Sequence, residues 1–306
     1  MKKIKALVLL SGGLDSRLAC KIMQEQLGKK NVEAVFFLLP FTGGCCSDKF
    51  CVFKFCQQQG IKLNIVDCTK GKLFMEYISI LRKPKFSRGV CLNPCIDCHI
   101  FMLKKAKKLV KKKKIEIIVT GEVLGERPLS QHKSALMLIE KQAGLKGKLL
   151  RPLSAKLLPE TKAEKTGIIN RNKLLDIQGR QRIRQISLAK KYKISSPPPG
   201  GGCLLCEPEY CKKLKEILEK KNLHYRDIEL LKIGRHFEKS QIILGKNEKQ
   251  SKILELEKGI KIMPVQPGPS ALIRPNKKSD KNKLVNKAKK LIQKYSKHKI
   301  EKFEIK

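Results

Sequence analysis

Three cysteines fall close together in "CLNPCIDCHIFML", at Cys91, Cys95 and Cys98, and "GGGCLLC" adds Cys203 and Cys206 further on. Thiols at this spacing suit metal ligation or sulfur transfer. Cys95/Cys98 with Cys203/Cys206 form a CxxC…CxxC set that could close round a structural zinc ion. Without metal, one cysteine could carry a persulfide and another resolve it by disulfide formation. Cys91 and Cys206 could substitute in any such scheme. Cys211 reads as helix surface, Cys20 and Cys68 as core, and Cys51 and Cys56 as small side chains packed in a helix. "GGCCSDKFCVFKFC", with Cys45 and Cys46, leaves open a second metal site.

A second candidate site is "SGGLDS" at residues 11–16, directly after an apolar run. Gly12 and Gly13 let backbone approach an anion, and the amides of the turn and of the helix that Leu14 opens point at it. Ser11 and Ser16 add hydroxyl donors. Asp15 is unusual beside an anion and makes most sense next to a magnesium ion. The loop lacks the Gly-Lys-Ser/Thr ending of a Walker motif.

The bulk properties fit a basic, core-forming chain of 306 residues, 41% of them hydrophobic. Lys+Arg number 68 against 27 Asp+Glu, a net charge of +41. A field of that sign attracts polyanions, nucleic acid first among them; a lysine-heavy composition contributes as well. No basic amphipathic anchor points to a membrane surface. The apolar run Ala6–Leu10 is too short for a signal peptide, and nothing reaches the ~18 residues of a membrane span. The expectation is a cytoplasmic protein with no membrane partner. In a reducing compartment its twelve cysteines imply metal or sulfur chemistry rather than disulfides.

The elements that must position these residues follow from alternation. "IKALVLL" (4–10), "VEAVFFLL" (32–39), "KLNIVD" (62–67) and "IEIIVTG" (115–121) read as buried parallel strands, with helices over about 14–27, 48–59, 71–82 and 97–113. The pattern predicts an α/β domain with a doubly wound parallel sheet over 1–194, closed by a helix at 179–192. "SSPPPGGGC" (195–203) must be a loop, and 195–222 reads as a Cys-rich loop and linker helix. A small α+β domain over 223–306 follows. In it "ELLKIGRHF", "SQIILGKN" and the end of "PVQPGPSALI" read as strands, and about 280–297 as a basic helix.

"SGGLDS" resembles the PP-loop of the N-type ATP pyrophosphatases, which adenylate an oxygen of their substrate and release pyrophosphate. The resemblance covers roughly residues 1–190 and implies ATP and magnesium at Ser11, Gly12, Gly13, Leu14, Asp15 and Ser16. "VTGEVLGERPLSQH" (119–132) is similar to a motif of 4-thiouridine synthetases, and "LLRPLS" (149–154) to the strand that follows it there. By that resemblance Gly121, Ser130 and Gln131 lie near the nucleotide, although Ser130 could also cap a helix. "NPCIDCHIFML" resembles a segment of tRNA 2-thiouridylases and the Cys-x-x-Cys of iron–sulfur-dependent tRNA thiolases. The latter take a third cysteine from a later segment, which points to Cys203. A [4Fe–4S] cluster on Cys95, Cys98 and Cys203 would leave one iron open for sulfide. The cluster is preferred to the persulfide, and both to a zinc ion, because zinc closed by four thiolates would be inert beside an ATP loop.

Two stretches bear on RNA. Lys104, Lys105, Lys107, Lys108 and Lys111–Lys114 share a helix whose Ile100, Leu103 and Leu109 face inward. Lys104 and Lys108 are the expected phosphate contacts, against the plainer reading of a solvated helix face. Residues 230–297 resemble the RNA-binding domain of NFACT proteins, which would put Arg235, His236, Lys246 and Asn247 on a binding face. The 4-thiouridine synthetases carry their RNA-binding module N-terminally instead. Together the resemblances imply an ATP-dependent sulfurtransferase acting on tRNA uridine, its sulfur donor supplied from elsewhere. A PP-loop amidating ligase and a non-catalytic RNA-binding protein are the rival readings.

Overall fold

The computed structural model describes residues 4–42, 49–195, 202–276 and 279–306. Cys45, Cys46 and Pro197–Gly201 lie outside them. The chain divides into two compact units, Met1–Cys206 and Glu207–Lys306. The Cys-rich stretch through Cys206 thus belongs to the first unit, and the helix after it to the second.

The first unit begins with strand β1 (Ala6–Leu9), helix α1 (Leu14–Leu27), β2 (Val32–Leu38), α2 (Lys49–Gln59), β3 (Lys62–Asp67) and α3 (Gly71–Arg82). It continues with α4 (Cys95–Lys113), β4 (Ile117–Thr120), α5 (Lys133–Gln142), β5 (Leu149–Leu150), the single turn α6 (Lys162–Lys165) and α7 (Ile183–Lys191). The five strands form one parallel sheet in the order β3-β2-β1-β4-β5. Ala6, Leu7, Val8 and Val119 are fully buried, as strands covered on both faces must be. Burying Leu7, Val8 or Val119 contributes about 1.5–3 kcal/mol each.

This topology positions the site. Strand order reverses at β1, so the chain leaves β1 and β4 in opposite senses and opens a crevice at their carboxyl ends. Leu9 pairs with Thr120, so residues 11–16 and Gly121 emerge side by side. Helix α5 was not anticipated from sequence. Its cap is His132, whose Nδ1 accepts from Ala135 N at 3.2 Å, and not Ser130.

The second unit contains α8 (Pro208–Leu218), α9 (Tyr225–Leu230), β6 (Arg235–Phe237), β7 (Ile242–Leu244), α10 (Glu248–Glu255), β8 (Ile260–Pro264), β9 (Ala271–Ile273), α11 (Lys281–Tyr295) and β10 (Phe303–Ile305). Its strands form an antiparallel sheet in the order β10-β8-β9-β7-β6, and Leu284, Ala288 and Ile292 of α11 join its core. Of the expected strand "ELLKIGRHF" only Arg235–Phe237 is strand. Glu229 and Leu230 finish α9, where Asp227 accepts from His224 N at 2.8 Å and fixes the helix start. Gly234 makes the turn into β6 with φ +72, where a Cβ would meet Leu244 O at 2.5 Å. Cys211 is not helix surface: it lies on the apolar stripe Tyr210, Cys211, Leu214, Ile217, Leu218 of α8 and is buried. Among the described residues no helix is long and apolar enough to cross a membrane.

Candidate functional site

The loop at 11–16 is built to receive an anion. Gly12 turns with φ +91. Gly13 stands at the N-cap of α1 with no side-chain cap, so the first amides of the helix remain available. Ser16 Oγ donates to Gly13 O at 2.9 Å and lies 3.2 Å from Ser11 Oγ. The Leu14 side chain packs in the core, leaving its backbone to the loop. Arg17, unnoticed in the sequence, is buried beneath: its Nε donates to Gly12 O at 2.7 Å and its Nη2 to Cys51 Sγ at 2.9 Å. Cys51 is therefore only half-buried, whereas Cys56, Cys20 and Cys68 are core.

Gly121 lies hard against this loop, its Cβ position 2.6 Å from Asp15 C and Ser16 N. The chain then runs over the crevice from Glu122 to His132. Glu126 accepts from Arg182 Nη2 at 2.6 Å, and the same Nη2 stands 3.7 Å from Asp15 Oδ2. Burial, reinforced by Glu126 and opposed by Arg182, raises the Asp15 pKa to about 6. Among the described residues Asp15 Oδ1 is buried without a partner, as are both side-chain polar atoms of Gln185. An unpaired carboxylate oxygen beside an uncapped helix suits a hard cation carried by phosphate, so the residues fit magnesium and ATP.

The far end of the same segment reaches the cysteines. Ser130 is buried and stands beside Cys95, with Arg127 near enough to favour its thiolate. Gln131 closes the segment: its Oε1 accepts from Arg127 N at 2.9 Å and its backbone O from Gly125 N at 2.8 Å. Ser130 thus faces a thiol, and Gln131 shapes the loop.

Cys95, Cys98, Cys203 and Cys206 come together from segments about a hundred positions apart in the sequence. Leu92 N donates to Leu205 O at 3.1 Å and Leu204 N to Phe41 O at 3.1 Å, pinning the later segment. Asn93 joins the two: it accepts from Cys95 Sγ at 3.1 Å and donates to Cys206 Sγ at 2.8 Å. Cys91, at φ 58, places its Sγ 3.8 Å from Cys206 O. Tyr77 OH lies 3.3 Å from Cys98 Sγ. Burial raises the pKa of Cys95, pushes that of Cys98 up to about 12, and raises that of Cys203 further. Neighbouring sulfurs add to each rise. As bare thiolates the group would repel itself in a dry site; protons or a cationic metal core remove that cost. A soft donor set of this kind suits iron–sulfur or zinc. Among the described residues, however, no group of three or more His, Cys, Asp or Glu side chains is placed to hold a metal ion.

A buried ionic network backs the crevice. His99 Nδ1 lies 2.8 Å from Glu122 Oε1, and Glu122 Oε2 accepts from Thr120 Oγ1 and Arg151 Nε, both at 2.9 Å. Arg151 Nη1 reaches Glu140 at 2.9 Å and Nη2 donates to Leu136 O. Burial pushes the Glu122 pKa up, but Arg151 and His99 outweigh it and hold the carboxyl well below its usual range. Of these residues only the Thr-Gly-Glu and Arg-Pro-Leu patterns gave a sequence signal.

On α4, Lys104 and Lys108 are exposed. With Lys85, Lys105, Phe86 and Phe101 they line a groove of about 350 Å³. In the second unit, the Arg235 guanidinium stacks 4.7 Å over the Tyr295 ring. His236 Nε2 faces two carbonyls, Leu230 O and Ile233 O, at 3.1 and 2.9 Å. Asn247 caps α10 by accepting from Gln250 N, and Lys246 precedes it.

Residues 4–143 match the family model described as the tRNA methyl transferase HUP domain. The matched residues lie within the first unit and make up under half of the chain. Among solved structures the chain is similar to the U34-tRNA thiolase NcsA from Methanococcus maripaludis with its [4Fe–4S] cluster. That match has 19% identity and a TM-score of 0.38, covering 78% of this chain and 75% of that one. It is also similar to a predicted subunit of tRNA methyltransferase from Methanocaldococcus jannaschii, at 16% identity and a TM-score of 0.31, covering 49% and 67%. No curated protein matches the sequence.

Proposed function

We propose that this chain is an ATP-dependent RNA sulfurtransferase that acts on a tRNA uridine. The observation that supports it best is the segment 121–132. One end of it packs on the nucleotide loop, through Gly121 and Glu126, and the other meets Cys95, through Arg127 and Ser130. An activation site and a sulfur site then share one wall.

In this reading the amides after Gly12 and Gly13 hold the phosphates of ATP, and Asp15 holds magnesium. A base carbonyl oxygen, its ring N–H proton lost, attacks the α-phosphorus, and pyrophosphate leaves. Loop amides and Arg182 offset charge on the departing group. A sulfur nucleophile from a separate donor adds to the activated carbon, AMP leaves with the oxygen, and the ring regains its proton. Holding both reactants in one crevice keeps water from competing. Cys95, Cys98 and Cys203 would ligate a [4Fe–4S] cluster, which when bound supplies sulfide beside the activated base. Lys104, Lys108 and the second unit, with Arg235 and Lys246, would hold RNA phosphates.

The test is anaerobic incubation with tRNA, MgATP and sulfide. AMP and pyrophosphate should form together with a nucleoside in which sulfur has replaced oxygen. The family description favours a second reading, methyl transfer. That reaction needs neither a phosphate cradle nor converging thiols. A methylated base formed without ATP turnover would establish it instead.

A further inference from the structure

Gln185 is fully buried, and neither its Oε1 nor its Nε2 has a hydrogen-bond partner among the described residues. It lies on α7, one helical turn beyond Arg182, and near enough to Asp15 to ease that carboxyl's charge, although no hydrogen bond closes between them. Asp15 Oδ1 is a third buried atom without a partner among the described residues. Leaving both ends of a buried amide empty is unfavourable, so the arrangement is built for an occupant. The charges say which kind. Asp15 and Glu126 carry two negative charges, and Arg182 supplies one positive, committed to Glu126 through Nε at 3.1 Å and Nη2 at 2.6 Å.

We propose that Gln185 is a positioning residue of the nucleotide site: its Oε1 and Asp15 Oδ1 share a divalent cation that enters with ATP, and its Nε2 donates to a phosphate oxygen. An amide can do both. A glutamate here would place a third carboxylate in the site and lose the donor. A leucine would offer neither end. The inference rests on the ATP reading above.

The test is calorimetric binding of α,β-methylene ATP to the full chain, with magnesium and with EDTA. Gln185→Leu should bind about tenfold more weakly in magnesium, and the gain in affinity that magnesium gives the wild type should shrink. Gln185→Glu should keep that gain and bind more weakly in EDTA. If Gln185→Leu fails to fold, Gln185→Glu decides: loss of the magnesium gain overturns the assignment. Wild-type affinity and wild-type magnesium dependence in the leucine variant would also overturn it, leaving a buried water as the occupant. A wild type that binds the analogue in neither condition overturns the ATP reading and this inference with it.

Discussion

Gly121 presses on Asp15: a methyl group at Gly121 would come within 2.6 Å of the Asp15 carbonyl carbon. Two strands paired at Leu9 and Thr120 deliver the two residues to the same point. Gly121→Ala must therefore push the loop at 11–16 aside. Overpacking of this kind costs about 1–3 kcal/mol, and here it falls on the proposed ATP loop. We expect ATP affinity to drop about tenfold or more, with the melting temperature lowered by only a few degrees, measured by calorimetry and thermal melts.

Arg151 bridges two buried carboxylates, Glu122 and Glu140. Removing it leaves Glu140 with no ion pair among the described residues and Glu122 with His99 alone. Arg151→Met should destabilise the first unit by about 3–5 kcal/mol, read as a fall of about ten degrees in the unfolding midpoint. Arg151→Lys should restore little of this, because Nε, Nη1 and Nη2 each serve a different acceptor. An unchanged midpoint in the methionine variant would refute the network's structural role.

The parallel sheet was legible because its strands are near-continuous apolar runs between helices, and the loop at 11–16 stood out because its glycines and Asp15 are contiguous. Cys95, Cys98 and Cys203 were read as one group; their convergence rests on Leu92 and Leu204, which carry no motif, and on Asn93, the first residue of the "NPCIDC" stretch. Arg182, Gln185 and His99 were not legible at all: single polar residues on amphipathic helices look like surface until packing turns them inward. Cys211 misled for the opposite reason, since the charged residues of α8 outnumber its narrow apolar stripe.

His236 gives the second unit a pH dependence. Burial, with Lys213 nearby, lowers its pKa from 6.5 to about 4. The folded unit therefore keeps the ring neutral while the unfolded chain takes a proton below pH 6.5. Stability should be full above that value and decline as pH falls toward 4. Thermal midpoints from pH 7 to pH 4.5 should show the decline in the wild type and a flatter profile in His236→Gln, which still offers a donor toward Leu230 O and Ile233 O. Parallel profiles would remove His236 as the cause.

Lys104 and Lys108 face solvent one turn apart on α4. If they hold RNA phosphates, Lys104→Ala with Lys108→Ala should weaken tRNA binding several-fold at low salt and reduce the slope of log affinity against log salt by about 2. Affinity for ATP should not change. Equal slopes for wild type and variant would leave both as a solvated helix face.

The most direct test is of the cysteines. The chain is purified without oxygen, reconstituted with iron and sulfide, and compared with a variant carrying Cys95→Ala, Cys98→Ala and Cys203→Ala. The prediction is a broad absorption near ~400 nm with about four irons and four sulfides per chain, lost in the variant. A colourless wild type that retains no iron would contradict it and leave the persulfide reading, or structural zinc if zinc were found.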